Sequence, residues 1–163
     1  MKYDKIITVD LDGVVVGGNY LPEWDRSPSN YAVLKPIDGA VDGLWYLKNQ
    51  GWRIYYLSAR NFPDAFNTTY NWLSNVGAPT GDGIILKVPL EYKGFVSKAL
   101  GARAHIDDAP RAFDAIESHV VKPILFVGRD ESGWWEGTKE AMKCFPSFHD
   151  WKRLVQYVEG LVG

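Results

Sequence analysis

The chain has 163 residues, of which 46% are hydrophobic, and it contains seven Trp, nine Tyr and seven Phe. We expect a single domain over 1–163 with a substantial core, and this composition excludes an intrinsically disordered chain. The formal net charge of −2 excludes a broad electrostatic attraction for polynucleotides, although it is compatible with a local basic pocket. No apolar run approaches the ~20 residues of a membrane span, so we expect no membrane partner.

The single cysteine, Cys144, excludes an intramolecular disulfide, and no Cys/His cluster has the spacing of a zinc site. We interpret Cys144 as a partly buried structural thiol. The sequence enters its first strand through charged residues without the apolar core of a signal peptide. We therefore expect the reducing cytoplasm to be the compartment of this protein.

Five apolar runs predict β-strands, and helical patterns lie between them. The predicted strands are 6–9, 53–57, 83–86, 104–106 and 123–127. Several of these runs are apolar throughout, which is typical of strands covered on both faces in a parallel sheet. The alternation predicts right-handed βαβ units and a three-layer α/β sandwich around a mostly parallel five-stranded sheet.

Apolar residues at helical spacing predict the intervening helices. The first stripe follows Asp38, a predicted N-cap, and ends near Gly51. The predicted stripes are Val41, Leu44 and Trp45; Phe66, Tyr70, Leu73 and Val76; Phe95, Val96, Ala99 and Leu100; and Ala112, Phe113 and Ile116. The pattern from Trp151 to Val162 follows the i, i+3, i+4, i+7 rule closely, which predicts a C-terminal helix within 148–162.

Polar groups follow three of the predicted strands, at the point where each strand ends. The first strand runs into Asp10-Leu11-Asp12-Gly13, the second into Ser58-Ala59-Arg60 and the fourth into Asp107-Asp108. The carboxyl ends of parallel strands meet at one edge of the sheet, where ligands bind in open α/β folds. Crowded carboxylates ionise fully only beside a cation, so this edge is a candidate divalent-metal site. An ordinary acidic turn is the alternative for the first motif.

Two long segments interrupt the alternation of strands and helices. Residues 16–36 contain two adjacent glycines, three prolines and the aromatic residues Tyr20, Trp24 and Tyr31. Long connections of this kind are often lids or binding loops, so we predict a small cap over the site; a flexible insertion is the alternative. In the second segment, 129–146, we interpret Trp134 and Trp135 as covering a sheet edge rather than forming a substrate platform.

The polar groups at the strand ends suit phosphoryl transfer. A carboxylate can attack phosphorus and form an aspartyl-phosphate. Asp10, Asp107 and Asp108 offer the hard oxygen ligands that Mg²⁺ prefers. Ser58 can donate a hydrogen bond to a phosphoryl oxygen, and a lysine can balance the remaining negative charge. Asp12 lies where a general acid/base would protonate the leaving alcohol and then deprotonate the attacking water.

These motifs resemble those of the haloacid dehalogenase-like (HAD) phosphohydrolases, over about residues 4–127. The matching segments are Asp10-Leu11-Asp12-Gly13-Val14-Val15, Leu57-Ser58-Ala59-Arg60 and His105-Ile106-Asp107-Asp108, in that order. The resemblance implies a Rossmann-like fold, Asp10 as nucleophile and Asp12 as general acid/base, as in the phosphatase branch. It also implies a Mg²⁺ ion held by the Asp10 side chain, the Asp12 main-chain carbonyl and the pair Asp107 and Asp108.

The lysine of the family's third motif has three candidates in this sequence. Lys93 precedes a helical stripe at the carboxyl edge of the sheet and is favoured over Lys98, which lies within the helix, and Lys87, which ends a strand. The predicted substrate-binding residues are thus Ser58, Ala59, Arg60 and Lys93. For Arg60, a fork with a substrate phosphate or carboxylate and a salt bridge to the acidic rim are both open. We interpret His105 as a structural histidine rather than a ligand.

The first and second motifs, with the aromatic insertion between them, resemble the 5'(3')-deoxyribonucleotidases and the phage or bacterial nucleotidase-like proteins. We predict a magnesium-dependent phosphomonoesterase for a small phosphorylated metabolite such as a nucleoside monophosphate. Tyr20, Trp24 and Tyr31 either stack on its base or pack within the lid. One alternative is a phosphatase for the 3' or 5' ends of polynucleotides, which the slightly acidic charge disfavours. Another is a receiver-like module that accepts a phosphoryl group without rapid turnover, although the late position of the paired acids disfavours it.

Overall fold

Six parallel strands form one sheet in the order β3-β2-β1-β4-β5-β6. The computed structural model describes residues 5–17, 27–129 and 131–162. The strands are β1 (Ile6–Val9), β2 (Arg53–Leu57), β3 (Gly83–Ile85), β4 (Ala104–Asp107), β5 (Lys122–Phe126) and β6 (Ser147–Phe148). The predicted α/β class is confirmed: the sheet is parallel, has helices on both faces and is Rossmann-like in arrangement.

The sheet has one strand more than the five that the sequence predicted. The additional strand, β6, pairs with the end of β5 through Leu125 opposite Ser147 and Phe126 opposite Phe148. Backbone hydrogen bonds from Leu125 to Pro146 and from Val127 to Phe148, both 2.9 Å, hold it in place. Two residues are too short a run for an alternating pattern to show in the sequence, which is why this strand was missed.

Six α-helices connect or flank the strands in the described part of the chain. They are α1 (Pro28–Ala32), α2 (Ala40–Asn49), α3 (Ala65–Asn75), α4 (Lys93–Ala99), α5 (Thr138–Cys144) and α6 (Trp151–Gly160). The predicted cap at Asp38 is wrong by one residue, because α2 is preceded by Gly39 in a left-handed conformation. The predicted C-terminal helix corresponds to α6, with Asp150 accepting a hydrogen bond from the Arg153 N–H at its start.

One face of the sheet is apolar and carries most of the core. Ile7, Val9 and Ile106 point to this face, where they pack in one cluster with α2, α3 and α6. Trp151 of α6 is fully buried there, and its indole Nε1 donates to the Val14 carbonyl at 2.9 Å. The loop after β1 is therefore tied to the core by a hydrogen bond from the C-terminal helix.

The opposite face of the sheet is partly polar, because side chains alternate along a strand. His105 and Asp107 of β4 lie on this side and alternate along the strand with the apolar Ala104 and Ile106. The helix α4 covers this face and buries Lys93 and Ser97 against polar side chains of the sheet, whereas Phe95 is 59% exposed. The apolar stripe predicted for α4 is therefore wrong, because its buried face is matched to polar partners.

The stripe predicted for α3 is also only partly right. Leu73 is buried as expected, but Phe66 and Tyr70 are exposed and stack on one another with ring centroids 6.4 Å apart. The helix instead buries Thr69 and Trp72. The Trp72 indole donates to the Leu34 carbonyl at 2.8 Å, which ties the predicted cap segment to α3.

The predicted cap segment leaves and re-enters the fold at adjacent points. Val16 and Pro36 form an antiparallel bridge, and the Gly17 N–H donates to the Lys35 carbonyl at 2.8 Å. The short helix α1 lies within this segment, whereas Tyr20 and Trp24 lie outside the described residues. Cys144 is exposed at the end of α5, against the expectation of a partly buried thiol. Within the described ranges, no helix has the length and apolar character needed to cross a bilayer.

Candidate active site

The turn after β1 packs closely against the acidic pair that ends β4. The Asp10 N–H donates to the Ile106 carbonyl at 2.9 Å, which continues the pairing of β1 with β4. Gly13 has a φ of +86°, and a Cβ atom at this position would overlap the Asp108 carboxylate. Glycine is therefore required at position 13 both by the backbone conformation and by the space that Asp108 occupies.

Three carboxylates meet at the carboxyl edge of the sheet. Asp10, Asp107 and Asp108 each offer an oxygen atom, and these oxygens lie within 4.8 Å of one another. Burial, with Asp107 beside it, raises the pKa of Asp10 to about 7. Burial and the charges of Asp10 and Asp107 likewise raise the pKa of Asp108 well above its ordinary value. An all-oxygen donor set with excess buried negative charge fits a hard divalent cation such as Mg²⁺.

The ammonium group of Lys93 lies between two of these carboxylates. Its Nζ is 2.8 Å from Asp10 Oδ1 and 2.8 Å from Asp107 Oδ2, and the side chain is only 1% exposed. Burial disfavours the charged amine, but the two carboxylates outweigh burial and raise the pKa of Lys93 above its usual range. The other candidates lie elsewhere: Lys98 pairs with the exposed Glu117, and Lys87 is exposed.

Both oxygens of Asp107 accept hydrogen bonds from the protein. Its Oδ1 accepts from the Ala109 N–H at 3.0 Å. Its Oδ2 is 2.8 Å from Lys93 Nζ and 2.9 Å from His105 Nε2. Burial alone would raise the pKa of Asp107, but Lys93 and His105 outweigh it and hold the pKa below its usual range. His105, interpreted from the sequence as structural, is fully buried beside this carboxylate.

Asp12 is held by the arginine of the second motif. Arg60 Nε donates to Asp12 Oδ2 at 2.8 Å and Nη2 to Oδ1 at 2.7 Å, while Nη1 donates to Thr69 Oγ1 at 2.9 Å. The guanidinium carbon lies 4.4 Å from the centre of the Tyr31 ring, and Tyr31 stacks on Phe62 with centroids 4.7 Å apart. Of the two alternatives for Arg60, the salt bridge is the one present. Tyr31 is buried by this packing rather than available to a base.

The remaining residues of the second motif lie at the end of β2. Ser58 is buried, and its Oγ accepts the Arg60 N–H at 3.1 Å. Among the described residues, no acceptor is found for the Ser58 hydroxyl hydrogen, so this hydrogen is available to a ligand. Ala59 is exposed between Ser58 and Arg60. In the second motif, the arginine thus holds Asp12, and the serine hydroxyl accepts the arginine N–H.

Trp135 is a site residue that the sequence analysis missed. Its Nε1 donates to Asp108 Oδ2 at 3.0 Å, and the residue is 49% exposed. Its neighbour Trp134 donates instead to the Gly128 carbonyl at 3.1 Å and packs against the smaller apolar cluster beside β5. Trp134 therefore packs against apolar residues beside β5, whereas Trp135 contacts the acidic pair. Nothing in the local sequence distinguishes the two, because the contact depends on a residue 27 positions away.

Solved structures with the same fold match nearly the whole chain. A D,D-heptose 1.7-bisphosphate phosphatase from B. bronchiseptica, complexed with magnesium and phosphate, is 16% identical with a TM-score of 0.62, over 96% of this chain and 98% of that one. The cobalt-bound deoxy-D-mannose-octulosonate 8-phosphate phosphatase from Haemophilus influenzae is 14% identical with a TM-score of 0.62, over 99% and 90%. A HAD-superfamily hydrolase from Ehrlichia chaffeensis is 12% identical with a TM-score of 0.64, over 100% of both chains.

At these identities the likeness shows the fold, which is the one seen in HAD-superfamily hydrolases. No protein-family model matches the chain, and no curated protein sequence matches it.

Proposed function

We propose that the protein is a phosphomonoesterase that works through an aspartyl-phosphate on Asp10. The observation that carries the proposal is the buried Lys93 ammonium, 2.8 Å from both Asp10 and Asp107, beside the third carboxylate Asp108. A carboxylate nucleophile, a fixed cation and a candidate metal site at one sheet edge are what phosphoryl transfer requires. The shared fold with HAD-superfamily phosphatases supports the same assignment.

Asp10 would attack phosphorus through the oxygen that Lys93 leaves free. Lys93 contacts Oδ1, and Oδ2 has no hydrogen-bond donor among the described residues. As the Oδ2–phosphorus bond forms, the bond from phosphorus to the leaving oxygen breaks, and Asp12 gives that oxygen a proton. In the second step Asp12 takes a proton from water. The water oxygen bonds to phosphorus, the Asp10–phosphorus bond breaks, and the Asp10 carboxylate and inorganic phosphate are released.

The other polar groups would hold the phosphate. Lys93 neutralises charge beside Asp10, the Ser58 hydroxyl donates to a phosphoryl oxygen, and the exposed Ala59 offers a backbone N–H. Arg60 orients Asp12, because its fork is already committed to that carboxylate. A Mg²⁺ ion held by the Asp10, Asp107 and Asp108 side chains and the Asp12 carbonyl would supply the positive charge that brings a phosphate dianion up to an anionic nucleophile.

A cleft next to the second motif suits a small leaving group. It has a volume of about 610 Å³, and its lining residues include Asn61, which directly follows Arg60 in the sequence. Its apolar lining includes Phe62, Phe66 and Leu86. The size lies within the range of small-molecule sites. Tyr31 packs against Arg60 and Phe62 and is therefore not available to stack on a base. We assign the leaving group to this cleft instead.

The cleft also contains polar features at its rim. The Lys87 ammonium has no ion-pair partner within the described ranges, and the Lys87 N–H donates to the Arg60 carbonyl at 3.2 Å. Lys87 and Asp64 both line the cleft and are the only described non-glycine residues with positive φ, at 60° and 59°. Strained backbone of this kind clusters at ligand sites. An apolar floor with a free cation supports a nucleoside monophosphate as the substrate class.

A substrate panel tests the proposal directly. We expect hydrolysis of p-nitrophenyl phosphate with Mg²⁺ that is lost on chelation and in Asp10→Asn, and faster hydrolysis of nucleotides with a 3' or 5' phosphate. Preference for phosphorylated oligonucleotide ends would support the polynucleotide alternative instead. A stoichiometric burst without turnover would support a receiver-like acceptor. No release of phosphate from any substrate would contradict the enzyme assignment.

A further inference from the structure

A chain of six buried polar side chains runs along one face of the sheet and ends at Asp10. Its members, in order of contact, are Ser97, Thr8, His105, Asp107, Lys93 and Asp10. The successive polar atoms are 2.7, 2.9, 2.9, 2.8 and 2.8 Å apart. All six residues are buried. The chemistry proposed above uses Asp107, Lys93 and Asp10 and leaves the buried imidazole of His105 without a role.

The register of two strands and one helix builds this chain. Thr8 of β1 lies opposite His105 of β4 in the parallel pairing, so their side chains lie on the same face of the sheet. Asp107 lies two residues beyond His105 and therefore shares that face. Lys93 and Ser97 are four residues apart on α4, which places both on its sheet-facing side. Every contact except the last, which reaches Asp10 directly after β1, joins two residues of regular secondary structure.

In the hydrogen bond between His105 Nε2 and Asp107 Oδ2, the donor can be identified from the groups that contact Asp107. Asp107 pairs with the Lys93 ammonium, and an ionised carboxylate only accepts hydrogen bonds. His105 Nε2 must therefore carry the hydrogen that it shares with Asp107 Oδ2. Together with the Ala109 N–H on Oδ1, three donors hold the Asp107 carboxylate. Its rotation is thus set by the strand β4, the helix α4 and the loop that follows β4.

We propose that His105 is a positioning residue whose Nε2–H fixes the Asp107 carboxylate, so that this carboxylate aims the Lys93 ammonium at Asp10 Oδ1. A lysine has a flexible four-carbon stem and three rotatable donors, so its ammonium needs a fixed acceptor to hold one direction. Misplacing a catalytic group by about 1 Å can reduce the rate about 10²-fold. His105 is 0% exposed and acts through Asp107 rather than on substrate.

Three variants separate positioning from simple packing. His105→Leu fills the space without a donor, whereas His105→Gln keeps a side-chain N–H near the place of Nε2. We expect His105→Leu to lower kcat at least about tenfold with little change in KM, and His105→Gln to recover most of the loss. Ser97→Ala shortens the chain at its far end and leaves the His105–Asp107 bond intact, so we expect it to keep kcat within about threefold.

Equal loss in His105→Leu and His105→Gln would overturn the inference, as would a normal kcat in His105→Leu. The kinetic arm rests on the proposed phosphatase activity, so a second arm uses the metal-free wild-type protein. We expect ¹⁵N NMR of its imidazole to show Nε2 protonated, with a hydrogen-bonded proton signal that is lost in His105→Gln. An unprotonated Nε2 would overturn the inference even in an active phosphatase. If the wild type shows no phosphatase activity, the proposed function is rejected. The NMR result then decides whether His105 positions Asp107.

Discussion

Arg60 donates to both oxygens of Asp12, with Nε 2.8 Å from Oδ2 and Nη2 2.7 Å from Oδ1. A planar fork of this kind fixes the direction of a carboxylate as well as its position. The guanidinium is itself held by Thr69 and by the Tyr31 ring. The orientation of the proposed general acid therefore depends on α3 and on α1 of the cap segment.

Loss of the fork should impair substrates with poor leaving groups most. In Arg60→Gln, we expect the single-turnover rate for an alkyl phosphate to fall about 10²-fold. The rate for p-nitrophenyl phosphate should fall much less, because nitrophenolate departs without a proton. Thr69→Val is the matched control, since it removes one contact of Arg60 and keeps the fork. Equal losses on the two substrates would show that Arg60 contributes to binding or folding rather than to proton transfer.

The position of Lys93 predicts a strong contrast with Lys98 on the same helix. Lys93→Met removes the cation between Asp10 and Asp107, and breaking a buried ion pair costs about 3–5 kcal/mol. We expect loss of measurable turnover and a lower free energy of unfolding. Lys98→Met is the control, because Lys98 is exposed and pairs with the exposed Glu117, and its activity should be close to wild type. Similar effects in the two variants would contradict the assignment of Lys93.

Trp135 and Trp134 provide a matched pair for the candidate metal site. Trp135→Phe removes the indole donor to Asp108, and partners of this kind typically change metal affinity at least about tenfold. We expect a corresponding rise in the Kd for Mg²⁺ measured by calorimetry. Trp134→Phe removes a hydrogen bond to a backbone carbonyl instead and should leave the Kd unchanged. An unchanged Kd in Trp135→Phe would place the metal away from Asp108.

The shifted pKa of Asp10 predicts how the metal-free protein responds to pH. Burial and Asp107 raise this pKa from 3.8 to about 7, so the folded state holds a proton that the unfolded chain has released. The contribution of Asp10 to the stability of the metal-free fold is therefore lost as pH rises from about 4 to about 7. Asp10→Asn stays neutral and avoids this loss. The variant should therefore be more stable than the wild type at about pH 8.

Urea unfolding in the presence of a chelator measures this difference. At about pH 4, where Asp10 is protonated in the folded wild type, the two proteins should have nearly the same free energy of unfolding. Mg²⁺ should stabilise the wild type at about pH 8 and the variant much less. If the wild type is more stable than Asp10→Asn at about pH 8 without metal, ionisation of Asp10 does not destabilise the folded protein, which contradicts the prediction.

The strand ends were predictable because their signal is local. Apolar runs that stop in Asp10, Ser58 or Asp107 mark the carboxyl edge of a parallel sheet, and the parallel pairing of β2, β1 and β4 puts all three residues at that edge. The buried face of α4 was not predictable in the same way. A periodicity rule assigns Phe95 to the core, whereas the helix buries Lys93 because the strands opposite it carry polar side chains.

Contacts between distant segments account for the other differences. Trp135 reaches Asp108 from a segment with no regular pattern, and β6 exists because β5 offers it an unpaired edge. Tyr31 was considered for stacking on a base, but it packs against Arg60 and Phe62 instead. The sequence does not show that these residues are neighbours. Such features follow from the assembled fold rather than from propensity or spacing.

Covalent attack by Asp10 is the central claim, and trapping the intermediate tests it most directly. The enzyme is mixed with a phosphomonoester that it hydrolyses, quenched in acid within one turnover and digested for mass spectrometry. We predict one phosphoryl group on Asp10 in the wild type and none in Asp10→Asn, which should not turn over. Steady hydrolysis by Asp10→Asn, with no phosphorylated Asp10 in the wild type, would contradict the account.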